Sequence, residues 1–156
     1  MAVKIEKEIA DAVNNPESIK VLASTDRHGN INVVAKGSIS VTEDGRIKYW
    51  ELLESSQTNK NVTFALWFNK EIAINVITTD KRSYQIKGIP RVNLNAGHEY
   101  EENYIKAQEK NKDNDLAAVY YIEPIEIIEE TYSKRLDEET KKHPLYIHLD
   151  RLAKKE

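Results

Sequence analysis

The chain has 156 residues, a length that suits one domain with a single core. It contains no cysteine, which excludes a disulfide framework and a thiolate metal site, so any redox chemistry requires a bound cofactor. Its 23 basic and 26 acidic side chains leave a formal charge of −3 without a basic block, which argues against nucleic-acid binding.

No apolar run approaches the ~20 residues of a membrane span, and the amino end shows no signal-peptide pattern, so a cytoplasmic protein is expected. Residues 3–13 place Ile5, Ile9, Ala12 and Val13 on one helical stripe, which Asn14-Asn15-Pro16 ends. Residues 19–25 read as a strand, and Asp26-Arg27-His28-Gly29-Asn30 as a turn. Over 31–41, Ile31, Val33, Ala35, Gly37, Ile39 and Val41 alternate with Asn32, Val34, Lys36, Ser38 and Ser40. Glu43-Asp44-Gly45-Arg46 makes a second hairpin turn into 47–53, so a three-stranded antiparallel meander is expected.

Ser55-Ser56-Gln57-Thr58 then offers hydroxyl caps to a helix reaching about residue 69, with Val62, Ala65 and Leu66 among its apolar positions. Strands follow at 71–79 and 83–95, where Pro90 favours an edge or a bulge. Residues 97–111 read as a helix with Tyr100, Tyr104 and Ala107 on one side, and 116–131 as a long β stretch interrupted by Pro124. A domain over 1–132 is expected, followed by a charged tail, 133–156, that is helical or packed on a partner subunit. The sum is mainly β: an antiparallel barrel of about six strands with one inserted helix and peripheral helices.

The segment Ser55-Ser56-Gln57-Thr58-Asn59-Lys60-Asn61 is the best functional candidate. A helix start presents unpaired N–H groups, and the nearby hydroxyls and lysine suit a phosphate; the simpler alternative is an ordinary serine cap. Lys36, beside Asn32, Val34 and Ser38, can meet an anion or turn to solvent. Trp50 and Trp67 read as core residues. Glu51 can accept a bond from a ring N–H or lie exposed. The four histidines show no zinc spacing, and no nucleophile elbow, phosphate-binding loop or dinucleotide fingerprint is present. No metal site is expected, and chemistry carried by the side chains alone is not indicated.

Four segments together resemble the pyridoxamine 5'-phosphate oxidase-like FMN-binding split barrels, over roughly residues 19–132. They are the hairpin Val21-Leu22-Ala23-Ser24-Thr25 to Val33-Val34-Ala35-Lys36-Gly37-Ser38, then Thr58-Asn59-Lys60-Asn61-Val62, then Tyr84-Gln85-Ile86-Lys87-Gly88, and Ala117-Ala118-Val119-Tyr120-Tyr121-Ile122-Glu123-Pro124. The resemblance implies a six-stranded split β-barrel, a homodimer, and FMN in the interface groove of an oxidoreductase or electron carrier. It implies that Val34, Ala35 and Lys36, with Ser38 beside them, lie along the flavin ring. Glu51, Leu52 and Leu53 would pass the ring and ribityl chain, and Ser55, Gln57 and Thr58 would approach the phosphate, braced by Asn61. Gln57 stands where the family often has a basic residue, so Lys36 or Lys60 would have to supply charge. That departure keeps open a deazaflavin, haem, sensor or ligand-free scaffold reading. The arginine- and tryptophan-rich C-terminal substrate segment of true pyridoxamine phosphate oxidases is absent, although Arg151-Leu152-Ala153 is similar to its closing residues.

Overall fold

The computed structural model describes residues 2–143. Its strands are β1 (Ile19–Thr25), β2 (Ile31–Ala35), β3 (Ser40–Val41), β4 (Ile47–Glu51), β5 (Ile72–Ile77), β6 (Ser83–Leu94) and β7 (Ala118–Glu129). Its helices are α1 (Lys7–Asn14), α2 (Gln57–Phe68), α3 (His98–Lys110) and α4 (Tyr132–Lys142). Every strand pairing is antiparallel, in the order β2-β1-β5-β6-β7-β4-β3, so the fold is a mainly β, open half-barrel of seven strands. That is one strand more than the sequence pattern predicts.

The alternating apolar residues of these strands meet in one core. Leu22, Ile74, Val76, Ile86, Tyr49, Tyr120 and Ile122 pack with Val13 of α1 and Val62 and Ala65 of α2. A second cluster, Trp50, Ala107, Leu116, Val119 and Tyr121, lies under α3. Burial of this kind contributes about 25 cal/mol per Å² of apolar surface, which is why the strand and helix faces choose these partners. α1 begins later than its stripe suggests, because the preceding chain is held extended by the Val3 N–H donating to Pro124 O at 2.9 Å.

The expected meander is not formed. β1 pairs with β2 and β3 with β4, yet β2 and β3 occupy opposite edges of the sheet. The pattern over 31–41 is therefore one strand, a break at 36–39 and a second strand. The physical reason is side-chain competition for the ladder. The Ser38 hydroxyl donates to Trp50 O (2.8 Å) and accepts the Trp50 N–H (3.3 Å), taking the place of a strand neighbour. Segment 36–39 consequently crosses from one sheet edge to the other.

Pro90 sits in a central strand rather than an edge, and the register shifts between Pro90 and Val92 supply the bulge that tolerates it. Gly88 faces Pro124 across another register shift. A Cβ there would lie 2.5 Å from Ile122 Cγ2 and 2.9 Å from Glu123 O, so the close approach of β6 and β7 requires glycine. At the carboxyl end α4 occupies the first part of the expected tail. Residues 144–156, with His148 and Arg151-Leu152-Ala153, lie outside the described residues.

Candidate functional site

The site is organised by the two faces of β2. Ile31 and Val33, the apolar face, are 75% and 60% exposed. The polar face is the one that turns toward the protein. Asn32 Nδ2 donates to Thr58 Oγ1 at 3.1 Å, and Lys36 Nζ lies 3.4 Å from both carboxylate oxygens of Glu51. One strand face thus runs from the start of α2, past Val34, to the end of β4.

At the β4 end, Glu51 is fully buried, which corrects the exposed alternative. A buried carboxylate persists only when its oxygens are satisfied. Here Lys36 supplies the cation, the Leu53 N–H donates to Oε1 at 3.0 Å, and the Tyr49 hydroxyl donates to Oε2. Tyr49 stacks on Tyr120 at 5.7 Å, and the Tyr120 hydroxyl donates to Asn59 Oδ1 at 2.5 Å. Burial, the largest cause, holds the Tyr120 phenol above its ordinary value. A cavity of about 670 Å³ opens over this network. Ala35, Lys36, Ser38, Glu51, Leu52 and Leu53 form one wall, and Lys110, Asp113, Asn114 and Asp115 form the other.

At the α2 end, Ser56 rather than Ser55 is the cap, its Oγ accepting the Asn59 N–H at 3.0 Å. Among the described residues the N–H groups of Gln57 and Thr58 have no protein acceptor, the usual condition of a helix start. Ser55 and Gln57 are exposed, whereas Thr58 and Asn61 are buried. Asn61 donates to Ser24 Oγ at 3.2 Å and accepts from Gln57 Nε2 at 2.7 Å. Thr58 and Asn61 therefore seat α2 on β1 and β2.

Arg27, His28 and Lys60 border a shallow cavity of about 370 Å³ beside Gln57. Asp26 also lines it, but that carboxylate is occupied by its turn: Asn30 and the His28 N–H donate to it and hold it below its ordinary value.

The eleven sequence-predicted residues fall into two groups along this face. Ala35, Lys36, Ser38, Glu51, Leu52 and Leu53 line the β4 cavity, Ser55, Gln57, Thr58 and Asn61 lie at the α2 start, and Val34 sits on β2 between them, exposed and outside the cavity lining. Two expectations change. Lys36 is held by Glu51 and so is not a free cation for a phosphate, and Trp67 is 76% exposed rather than core. Sequence reading missed Arg27 and His28, hidden in an ordinary turn, and the far wall from Lys110 to Asp115, which reaches the cavity only through tertiary packing. Among the described residues no group of three or more metal-ligating side chains is found, and no helix is long and apolar enough to cross a membrane.

No family model and no curated protein sequence matches the chain. Solved structures do. HupZ of Group A Streptococcus superposes with a TM-score of 0.66 at 22% identity, covering 82% of this chain and 95% of that one. A putative pyridoxamine 5'-phosphate oxidase from Lactobacillus delbrueckii gives 0.61 at 17% identity, covering 80% and 93%. An FMN-binding protein from Syntrophomonas wolfei gives 0.62 at 14% identity, covering 79% and 84%. An F420 reductase and HutZ, the heme storage protein from Vibrio cholerae, share the fold at TM-scores of 0.58 and 0.55. The chain shares the split-barrel fold of these solved structures, the fold that its four sequence segments lead one to expect.

Proposed function

We propose that the protein is a cytoplasmic, homodimeric FMN-binding oxidoreductase or electron carrier of the pyridoxamine 5'-phosphate oxidase-like type. The observation that carries this reading is the half-buried face of β2. It joins open helix-start amides beside Arg27 and Lys60 to a buried carboxylate–ammonium pair under a 670 Å³ cavity. An elongated molecule with an anionic end and a polar ring fits that layout. The Gln57 and Thr58 amides, Arg27 and Lys60 would hold the phosphate. Val34, Ala35, Leu52 and Leu53 would flank the ring, and Lys36 with Glu51 would meet its polar edge.

Bound flavin would supply the electron chemistry, while the chain supplies position and electrostatics. Pairing with Glu51 fixes Lys36, so the ring would meet an ammonium of defined place. Exposed Ile31 and Val33 on the edge strand β2 support dimerisation, because an uncovered apolar edge favours a partner strand or surface.

The test is a titration of purified protein with FMN followed in the visible spectrum. Retained flavin bands after desalting, weakened about tenfold or more by Arg27→Gln with Lys60→Gln, are expected. Colourless protein indifferent to FMN overturns the reading. Gln57 is engaged with Asn61 rather than free, and solved neighbours include an F420 reductase and a heme storage protein, so a deazaflavin or haem ligand is the second reading. Mass spectrometry of the molecule released on denaturation separates the two. Light scattering at several concentrations tests the dimer.

A further inference from the structure

On the other side of segment 36–39 lies a second cavity, of about 510 Å³, between the end of α1, residues 37–40 and α3. Four lysines line it: Lys20, Lys48, Lys106 and Lys110. Among the described residues none of the four forms an ion pair, although most other lysine contacts in the protein end on a carboxylate. Glu109 is the one acidic residue of the lining.

These are not four loose surface chains. Lys20 is 6% exposed, and its ammonium donates to Val13 O (3.0 Å) and Ile39 O (2.8 Å). Two of its three N–H donors are thereby used, and the third has no acceptor among the described residues. The Lys48 and Lys110 ammonium groups lie 5.5 and 5.2 Å from the Trp50 ring centre. Trp50 is in turn fixed by its indole N–H, which donates to the buried Asn103 of α3 at 3.0 Å. Burial first, and then the neighbouring lysines, hold Lys20 and Lys48 below the ordinary ammonium value. Like charges brought together repel; Glu99, which acts on Lys48, and Glu109 in the lining offset part of that repulsion, and a bound anion relieves the rest.

We propose that this cavity binds a small molecule through a multiply charged oxyanion, phosphoryl or polycarboxylate. The cavity is continuous in its lining with the one over Glu51, since Gly37, Ser38, Trp50 and Lys110 border both. A molecule anchored here by its anionic group could extend toward the proposed flavin site. The proposal does not depend on which ring, if any, occupies that site.

Trp50 makes the test specific. The sequence has two tryptophans, and Trp67 is exposed, so Trp67→Phe leaves Trp50 as the sole indole. The full chain, free of any flavin, is titrated with pyrophosphate, citrate or sodium chloride at constant ionic strength, following indole fluorescence. A saturable change with pyrophosphate or citrate is expected, the stronger of the two indicating the phosphoryl or the carboxylate class. Its midpoint should rise about tenfold in Lys106→Gln with Lys110→Gln. It should stay in place in Lys60→Gln, which instead weakens FMN. Both exposed helix lysines tolerate glutamine, and Lys48→Gln provides an independent variant. No saturable change, an equal change with chloride, or a midpoint that ignores the lysine variants overturns the proposal.

Discussion

The chain buries one carboxylate and one ammonium close to segment 36–39 and treats them in opposite ways. Glu51 has a cation, a phenol hydroxyl and a backbone N–H on its two oxygens, so its neighbourhood is electrically closed. Lys20 has two carbonyls and no carboxylate, and three further lysines gather around it. A closed pair specifies structure and offers a fixed polar edge, whereas the four lysines outnumber the nearby carboxylates, Glu99 and Glu109, and leave an excess of positive charge. The two sides of one crossing segment thus differ in charge: a buried carboxylate–ammonium pair lies on one, and a cavity lined by four lysines on the other.

The largest expected effect comes from opening the closed side. Lys36→Met leaves Glu51 buried without its cation, a change that costs about 3–5 kcal/mol where no relaxation rescues it. Glu51→Gln added to Lys36→Met removes the orphaned charge and should recover most of the loss. Urea unfolding at fixed protein concentration measures both variants. If the double variant is no more stable than Lys36→Met, the pair is not the unit described here. Next in size is Lys20→Met, which orphans the Val13 and Ile39 carbonyls at about 1–3 kcal/mol in the same assay. A Lys20→Met protein more stable than the parent would make Lys20 a costly buried charge rather than a tie between the end of α1 and Ile39.

How much of this was legible in the sequence differs between the two sides. The strand-to-helix passage at Ser55–Asn61 and the Thr58 and Asn61 positions are local, and the hydroxyl-rich helix start gives them away. The alternation over 31–41 is equally plain, but periodicity states only that two faces exist and not which one is covered. Ile31 and Val33 are exposed on the isolated chain, and Asn32 and Lys36 point inward because their partners, Thr58 and Glu51, arrive from distant segments. The lysine cluster was illegible for the same reason. Lys106 and Lys110 sit one turn apart on α3, but Lys20 and Lys48 lie on two distant strands, and no spacing rule brings those to the helix pair. Trp67 misled because α2 has no clear apolar stripe: its inward positions are Thr58, Asn61, Val62 and Ala65, while Trp67 and Phe68 lie exposed.

The smallest effect concerns how α3, which brings Lys106 and Lys110 to the open side, is held. Besides the bond from Trp50 to Asn103, the Tyr121 hydroxyl of β7 donates to Glu99 at 2.5 Å. Burial first, and then that carboxylate, push the Tyr121 phenol up to about 12. In the unfolded chain the phenol titrates near its ordinary value of about 10. Between those values the unfolded state has lost the proton that the folded state still holds, so the unfolded state binds fewer protons and stability falls as pH rises. Tyr121→Phe removes this slope. Relative to the parent, the variant should be less stable at neutral pH by the lost hydrogen bond. The gap should then narrow from pH 10 toward pH 12 as the parent loses its advantage. Measuring the difference between the two proteins cancels the opposing contribution of Lys20 and Lys48, whose lowered values act in both. A gap that stays constant across that window would mean that Tyr121 does not carry its proton through a bond to Glu99, and that α3 is positioned without it, by the Trp50–Asn103 bond, the Tyr100 bond to Leu116 O and the packing of Ala107.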